Sequence, residues 1–505
     1  MKFNHYISKY HTLFLGACIP LGFAPFHYFS VLYLAILFFF LSLEKNPSHR
    51  FQSGYWFGVG FHLIGTSWVY VSIHEYGHLH PVIAGLVTLL FILFLACFYG
   101  LMTLIYHHLK SYCPEVFKPL VFASSWCAAE FLRAHCLGGF PWLILGFSAL
   151  NSPFDHLLPY LGVYGPSFVI CLALGYLALG ITSQGLKRLY GILGLLCFML
   201  PHYIAVPQAQ DEARESIAVS MIQGNVKMQD KWDEQLFWSQ YFQYLAKIKQ
   251  SLAPQRLIIL PEAAITAPSS YMHDELKYIN QLAKKQHSAI VLGIPQSAGD
   301  EYNYHNSILA LGAAQGSYFK QQLVPFGEYI PQIWIPIIRF LQFPIVNTIP
   351  GDAHQAPIQV FGHQIASLIC YELAYPERLR PQLPEGQIII SLSDDGWFGH
   401  SLALYQHLQM AQTLSRMAHR EQIFSNNNGL SSLINTQGQI VKQLPSWKAV
   451  EARVDIHTSQ LMTPWMTWGD KPVLLFCFCI LSFAFLYHSF KIRQLSNIIE
   501  LPVNT

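Results

Sequence analysis

Hydrophobic residues are concentrated in runs long enough to cross a membrane, most of them in the first 206 residues. A spanning helix needs about 20 predominantly apolar residues. The first run is about twice that length, and Pro20, Gly22 and Pro25 interrupt it, so it predicts two short helices. Seven spanning helices are therefore predicted before the central part of the chain and one after it. The runs cover residues 12–43, 54–73, 82–106, 117–134, 157–182, 189–206 and 471–489.

The central part of the chain, residues 210–460, has a different pattern. Short runs rich in β-branched residues alternate with polar segments suited to helices, at 233–252 and 272–286. This alternation predicts a layered α/β domain. The strand-like runs cover residues 216–222, 256–260, 288–293, 306–311, 364–370, 387–393 and 430–435.

The positions of Lys and Arg predict the orientation in the membrane, because cytoplasmic loops carry an excess of both. Basic residues flank the first run at both ends and then occupy every second connection, whereas 74–81 and 135–156 have none. With seven crossings from a cytoplasmic start, the α/β domain is expected outside the cytoplasm. The predicted organisation is a transmembrane bundle at 1–208, the α/β domain at 209–462, a transmembrane helix at 463–493 and a cytoplasmic tail at 494–505.

Composition agrees with a membrane protein and excludes several other classes. Only 11% of the residues are charged, against about 25% in soluble domains, and the mean hydropathy is +0.31. A net charge of +2 gives no reason to expect a nucleic-acid partner. The first apolar run is too long for a cleavable signal peptide. Cys370 is the only cysteine in the central domain, which therefore has no internal disulfide framework.

Chemically useful side chains follow several strand-like runs. Glu262 comes after 256–260, Cys370 after 365–369, and Asp394 with Asp395 after 388–393. Catalytic groups of open α/β sheets collect at such strand ends. Taken singly, each residue has an ordinary alternative, namely a solvated carboxylate or an inert packed thiol.

Taken together, these residues point to a particular family more specifically than any one of them does alone. Glu262, then Lys320 in the segment 318–328, then Cys370 resembles the Glu–Lys–Cys triad of the nitrilase superfamily. Because this triad occurs together with a predicted membrane bundle, the chain resembles the apolipoprotein N-acyltransferase family over roughly residues 14–470. One departure is Asp394-Asp395-Gly396, where Asn-Asp-Ala is expected. Further similar motifs are Gly22–Phe26, Gly139–Trp142, Ile222–Asn225, Lys231–Trp232 and Ser425–Gly429.

The resemblance implies the fold and the activity. The fold would be a multi-pass helical bundle plus an α/β nitrilase-like domain, an αββα sandwich, on the periplasmic side of a bacterial inner membrane. A phospholipid would donate an acyl chain to Cys370, giving a thioester. The N-terminal amine of a lipoprotein's diacylglyceryl-cysteine would then accept the chain. No cofactor and no metal are implied, and a monomer is expected.

The chemistry of the residues suggests their roles. Cys370 is the expected nucleophile, Glu262 the base, particularly if partial burial raises its pKa, and Lys320 the oxyanion stabiliser. Glu328 and Glu372 are expected to orient Lys320, with surface carboxylates as the alternative. The residues expected either to wall the site or to pack in the core are Tyr371, Trp232 and Trp397.

An apolar segment at 333–346 lies inside the central domain. It suggests an arm that guides lipid through Trp334, Ile338 and Phe343, with core packing as the alternative.

Other interpretations stay open. A membrane-tethered nitrilase-type amidohydrolase would use the same triad with water as the acceptor. A membrane metalloprotease would use His74 and His78, whose spacing matches a zinc-binding pattern only when both lie on one face of a helix. Near the end of an apolar helix, Glu130 and Arg133 suggest a structural ion pair, or otherwise a contact to a lipid headgroup.

Overall fold

The chain divides into two compact units. A computed structural model describes residues 2–45, 50–206, 215–299, 303–332, 335 and 348–499. The helical unit comprises residues 1–70, 79–206 and 468–505. The α/β unit comprises residues 207–467 together with the short segment 71–78.

Eight helices of eleven residues or more form the described part of the helical unit. A 3₁₀ turn at Ile19–Gly22 separates the first two, which confirms the prediction of a pair. Pro81–Lys110, Tyr164–Thr182 and Lys471–Gln494 are long and apolar enough to cross a membrane by length and composition. The remaining predicted crossings stay predictions. The eight helices are Lys2–Cys18, Phe29–Lys45, Arg50–Gly65, Pro81–Lys110, Lys118–His135, Tyr164–Thr182, Leu189–Met199 and Lys471–Ile499.

Glycines allow the helices Lys2–Cys18 and Arg50–Gly65 to approach closely. A Cβ at Gly60 would overlap the carbonyl oxygen of Leu13, and a Cβ at Gly16 would overlap that of Phe57. Each helix therefore presents a glycine to the backbone of the other. In a membrane, where apolar side chains gain little by leaving lipid, such backbone contact is a main source of helix association.

Glu130 and Arg133 are both buried in the helical unit, but the expected ion pair between them is wrong for the described structure. Glu130 accepts hydrogen bonds from the Leu145 amide at 2.7 Å and the Trp126 indole at 3.0 Å. Arg133 Nη1 donates to the carbonyls of Phe140 and Trp142 at 2.7 and 2.6 Å. The two side chains thus hold the backbone of the following loop, through the Leu145 amide and the carbonyls of Phe140 and Trp142.

Two mixed sheets form the α/β unit. The six-stranded sheet has the order β13-β1-β2-β3-β4-β6, and the seven-stranded sheet has the order β12-β11-β10-β9-β8-β7-β5. The strands are β1 Ser216–Gln223, β2 Arg256–Ile259, β3 Ala289–Ser297, β4 Tyr304–Gly312, β5 Ala314–Gln315, β6 Ser317–Phe319, β7 Ile358–Val360, β8 His363–Ile369, β9 Ile388–Ser393, β10 Gln422–Asn426, β11 Ser432–Ile434, β12 Ile440–Gln443 and β13 Val450–His457.

The two sheets pack face to face around one apolar core. Alternate residues of each central strand point into it, such as Val219 and Met221 from β1 and Ile388 and Ile390 from β9. Helices Phe237–Ser251 and His273–Lys285 cover the outer face of the first sheet. Helix Ala403–Ala418 lies on the second sheet, where Ser415 donates to Gln422, which in turn donates to Ser391. The result is the expected αββα sandwich.

The strand directions bring several strand ends to one edge of each sheet. β1, β2 and β3 run parallel, and so do β8, β9 and β10. Side chains that follow the carboxyl ends of parallel neighbours lie close together. Glu262 follows β2, Cys370 follows β8, and Asp394 follows β9.

We expect Gly60→Val to lower the melting temperature of the detergent-solubilised protein, because the new side chain must push the two helices apart. Overpacking of this kind costs about 1–3 kcal/mol. Gly85→Ala is the matched control, since an added Cβ there has no heavy atom within 4 Å. Alanine favours a helix over glycine by about 0.8–1 kcal/mol, so the control should keep or raise the melting temperature. An unchanged value for Gly60→Val would contradict the close approach.

Candidate active site

Glu262 and Lys320 meet in the interior of the α/β unit. Lys320 is 1% exposed and Glu262 is 8% exposed. The Lys320 ammonium lies 3.4 Å from Glu262 Oε1 and 2.9 Å from Glu328 Oε1. One buried lysine is therefore held between two carboxylates, as expected for Glu328 from the sequence.

Asn306 is a residue of this network that the sequence interpretation missed. Its side-chain amide donates to Glu262 Oε1 at 2.7 Å and to Glu328 Oε1 at 2.8 Å. It therefore fixes the two carboxylates relative to each other while Lys320 neutralises them. The only sequence signal was a polar residue inside the strand-like run that became β4.

Cys370 lies at the end of β8 in a conformation that side chains other than glycine rarely adopt. Its φ is +51°, in the left-handed region, and the residue is 8% exposed. A five-residue 3₁₀ turn, Cys370–Ala374, begins there. Backbone strain of this kind costs about 1–3 kcal/mol and persists only where the surroundings impose it.

Glu372 is one of the groups that impose this turn, and it is fully buried rather than on the surface. Its carboxylate accepts from the Ile369 amide at 2.7 Å, the Gln321 amide at 2.7 Å and the Tyr318 hydroxyl at 3.0 Å. Glu372 therefore ties the turn of Cys370 to the residue after Lys320. Its contacts near Lys320 are to backbone amides and not to the ammonium. Burial raises the pKa of Glu372 to about 7, against the opposing effect of these hydrogen bonds.

A second buried ion pair, Lys231 with Asp394, also contacts Glu262. Lys231 and Asp394 are 4% and 2% exposed, and the Lys231 ammonium pairs with the Asp394 carboxylate. Lys231 also donates to the backbone carbonyl of Glu262 at 2.9 Å, while the Asp394 amide donates to Glu262 Oε2 at 3.0 Å. Asp394, where the family resemblance led us to expect asparagine, thus supplies the negative partner of Lys231. Burial raises the pKa of Asp394, and the charge of Lys231 opposes that rise.

The pKa values of the three central groups follow from these contacts. Burial alone would raise the pKa of Glu262, but the charge of Lys320 and the Asn306 hydrogen bond outweigh it, so the pKa lies below its usual range. Partial burial therefore does not give Glu262 the raised pKa that would favour it further as a base. Burial would lower the pKa of Lys320, yet Glu328 and Glu262 raise it. Burial raises the pKa of the Cys370 thiol well above its ordinary value, and the charge of Glu262 adds to the rise.

His407 and Asp395 lie directly beside Cys370, and the sequence interpretation missed His407. Atoms of the Cys370 thiol, the Asp395 carboxylate and the His407 ring lie within 4.8 Å of one another. His407 Nδ1 is 2.8 Å from Asp395 Oδ1, and Nε2 is 3.0 Å from the Cys370 carbonyl oxygen. Both ring nitrogens therefore lie within hydrogen-bonding distance of an oxygen atom.

The three aromatic residues expected at the site have different environments. Tyr371 is buried and packs against Tyr375, with ring centroids 5.4 Å apart. Trp232 and Trp397 are 54% and 41% exposed. Trp232 directly follows Lys231, and Trp397 lies two residues after Asp395. The two indoles are thus close in sequence to the buried groups but reach solvent themselves.

The segment 71–78 packs against the turn that contains Trp397. Ser72 Oγ donates to the Trp397 carbonyl at 2.7 Å, and the Tyr76 and Trp397 rings meet edge to face at 5.8 Å. Residues Ser72–Tyr76 form a π-helix, and His78 follows it with a φ of +54°. His74 and His78 therefore do not share a face of an α-helix, as the metalloprotease pattern requires. Trp334, Ile338 and Phe343 lie outside the described residues.

Solved structures of similar fold come from the carbon–nitrogen hydrolases. A superfamily protein from Xanthomonas campestris is 16% identical, with a TM-score of 0.37, and the match covers 52% of this chain and 97% of that one. A carbon–nitrogen hydrolase from Helicobacter pylori is 14% identical, with a TM-score of 0.38, over 48% of this chain and 89% of that one.

Sequence relatives cover nearly the whole chain. Residues 15–176 match the family model of the apolipoprotein N-acyltransferase N-terminal domain, and residues 218–462 match the carbon–nitrogen hydrolase model. Apolipoprotein N-acyltransferase of Azotobacter vinelandii is 33% identical over 94% of this chain and 94% of that protein. The Coxiella burnetii protein of the same name is 32% identical over 94% and 99%. The chain belongs to the apolipoprotein N-acyltransferase family.

Proposed function

We propose that this protein transfers a fatty acyl chain from a membrane phospholipid to the N-terminal amine of an apolipoprotein's diacylglyceryl-cysteine. The chain would travel through a thioester on Cys370, with Glu262 as the base and Lys320 as the oxyanion stabiliser. The observation that carries the proposal is the buried Glu262–Lys320 pair beside Cys370, in a chain that also has apolar helices long enough to cross a membrane. Family membership supports the choice of substrates.

Glu262 suits the role of base because its lowered pKa keeps it ionised at neutral pH. The raised pKa of Cys370 keeps the resting nucleophile as a thiol. Proton transfer from sulfur to the carboxylate would therefore accompany attack on the ester carbonyl, rather than precede it. A resting thiolate would be unfavourable in this buried, negatively charged site. Because the thiolate is the reactive form of cysteine, a resting thiol also limits side reactions.

Lys320 suits the role of oxyanion stabiliser because it is charged, buried and held in place. An ammonium has three N–H donors. Among the described residues, Nζ donates only to Glu262 and Glu328, which leaves the third N–H for a ligand. An oxyanion that forms on the attacked carbonyl would find this donor already oriented. Such pre-organised donors are typically worth about 10²–10³ in rate.

The two half-reactions use the same groups in turn. In the first, a bond forms between Cys370 sulfur and the acyl carbon, the ester C–O bond breaks, and the lysophospholipid leaves with the proton held by Glu262. In the second, the amine nitrogen attacks the thioester, the C–S bond breaks, and the amine proton passes through Glu262 to the sulfur. One nucleophile serving two substrates in this way requires ping-pong kinetics.

The catalytic domain is proposed to lie outside the cytoplasm. The loop charges favour a catalytic domain on the periplasmic side of the inner membrane, where both lipid substrates are within reach. A monomer is proposed, because the described residues Glu262, Lys320 and Cys370 of a single chain supply the base, the oxyanion stabiliser and the nucleophile. The apolar residues Trp334, Ile338 and Phe343 are proposed as an arm that guides acyl chains toward Cys370.

Phospholipid alone should acylate the enzyme, releasing lysophospholipid and leaving a hydroxylamine-sensitive label on Cys370. Adding a diacylated lipopeptide should discharge the label. Glu262→Gln and Lys320→Ala should slow thioester formation by about 10²–10³, because both groups act on the attack that creates it. The measurement is mass spectrometry of the Cys370 peptide over time, in the full-length protein with radiolabelled or deuterated donor.

Cys370→Ala should never become labelled, and Lys285→Ala, on the exposed end of a surface helix, should behave as wild type. Acyl transfer that survives in Cys370→Ala would refute the assignment. Discharge by water as fast as by lipopeptide would instead identify an amidohydrolase-like enzyme.

The orientation predicts which side of the membrane an added protease can reach. In cells with a permeabilised outer envelope, a protease that cannot cross the inner membrane should cleave sites engineered at residues 299–302. A site engineered after Lys45 should be protected until the inner membrane is broken, and it serves as the control. The reverse pattern would rule out the periplasmic assignment.

Polar replacements at the proposed arm should affect lipid delivery more than chemistry. We expect Trp334→Gln with Phe343→Gln to reduce turnover of bilayer phospholipid several-fold, while a short-chain ester that is soluble in water still acylates Cys370 at the normal rate. Trp468→Gln, an exposed tryptophan of the helical unit, is the control for a general loss of surface aromatics. Loss of folded protein in the double variant would show that the segment is core.

A further inference from the structure

His407 is a buried histidine that the proposed chemistry does not use. It lies in helix Ala403–Ala418 and is fully buried. Its ring packs edge to face against Phe398 and Phe424, with centroid distances of 6.0 and 5.4 Å. A buried imidazole between two phenyl rings needs partners for both nitrogens, and the partners it has lead directly to Cys370.

The hydrogen bonds fix where the protons of His407 lie. A carbonyl oxygen can only accept, so Nε2 must donate to the Cys370 carbonyl at 3.0 Å. Asp395 Oδ1 lies 2.8 Å from Nδ1 and also accepts from the Ser393 hydroxyl at 2.7 Å. A carboxylate that accepts both bonds requires a second proton on the ring. His407 and Asp395 are therefore a buried imidazolium–carboxylate pair that shares this proton.

The charged groups around His407 favour the protonated ring. Burial lowers the pKa of His407, but the charge of Asp395, the hydrogen bonds to Asp395 and to the Cys370 carbonyl, and the charge of Glu262 together raise it. These groups come from the two turns that begin at Cys370 and Asp395 and from the end of β2. The aromatic rings on the remaining sides carry no titratable group.

The pair reaches Cys370 by two routes. His407 binds the carbonyl of the residue whose φ is +51°, so it helps to hold the strained backbone that presents the thiol. The Asp395 carboxylate, which accepts from the Ser393 hydroxyl, lies within 4.8 Å of the Cys370 sulfur. The backbone and the sulfur of one residue thus both face the same buried pair.

We propose that His407, paired with Asp395, is a positioning residue for Cys370: it holds the strained backbone through the Cys370 carbonyl, and it orients and balances the Asp395 carboxylate beside the thiol. The proposal rests on the function proposed above for the role of Cys370 in acyl transfer. It does not require His407 to touch the substrate or to carry the reacting proton. It requires only that the sulfur be aimed correctly and that the Asp395 charge beside it be balanced.

The test compares His407→Gln with wild type in the full-length protein, using two readouts. Acylation by phospholipid alone should fall about 10–100-fold in kcat with KM within about twofold, since a misplaced nucleophile loses rate without losing substrate binding. Alkylation of Cys370 by iodoacetamide, followed on the Cys370 peptide, should also slow. An unbalanced Asp395 carboxylate beside the sulfur disfavours the thiolate that reacts.

Gln412→Ala is the matched control on the same helix. Gln412 is also buried and donates to a backbone carbonyl, that of Gly438 at 2.8 Å. This variant should lose stability but keep the acylation rate per folded molecule. An equal loss in both variants would mean that His407 is merely structural, and the proposal would be wrong.

Further results would also decide whether His407 positions Cys370. Normal acylation and normal alkylation in folded His407→Gln would overturn the proposal. If that variant does not fold, Asp395→Asn replaces it: a lower kcat at unchanged KM supports the proposal, and wild-type behaviour in both readouts contradicts it. If phospholipid never acylates the wild-type enzyme, the proposed function fails, whereas slower alkylation in His407→Gln still supports the positioning role.

Discussion

The burial of one ammonium group governs the rest of the site. Removing a charge from water costs several kcal/mol even after the protein relaxes, so Lys320 can be buried only where opposite charges offset that cost. Glu262 and Glu328 do this at 3.4 and 2.9 Å. The same contacts keep Glu262 ionised, while burial and the charge of Glu262 keep Cys370 as a thiol against the opposing charge of Lys320. The protonation states of these groups therefore follow from burial together with the charges around Lys320.

Segments from both sheets position the groups of the site. The strands that carry Glu262 and Cys370 belong to different sheets, so no single loop positions both. Glu372 joins the turn that begins at Cys370 to the segment that follows Lys320, because its carboxylate binds the amides of Ile369 and Gln321. A carboxylate with a pKa near 7 is an uncommon structural group, and it accepts burial here because nearly every lone pair meets a donor.

The sequence predicted most of the α/β fold, and the failures have physical causes. Runs of β-branched residues located β1, β2 and β9 almost to the residue, whereas β5, only two residues long, and helix Ala403–Ala418, in which many buried residues are polar, were not predicted. Glu262, Lys320 and Cys370 were identifiable from order and motif. Asn306 and His407 were not, because their roles depend on neighbours distant in sequence.

The short segment 71–78 has a consequence for how the α/β unit is assembled. It belongs to that unit although more than a hundred residues separate it from the rest, and its Ser72 hydroxyl binds the Trp397 carbonyl. Helices Arg50–Gly65 and Pro81–Lys110 lie on either side of it along the chain. Covalent linkage gives such a segment an effective concentration on the order of millimolar. A separate peptide of these eight residues would have to be added at a similar concentration to bind as well. A fragment that begins at residue 207 is thus not the whole unit but the unit with one piece of its surface removed.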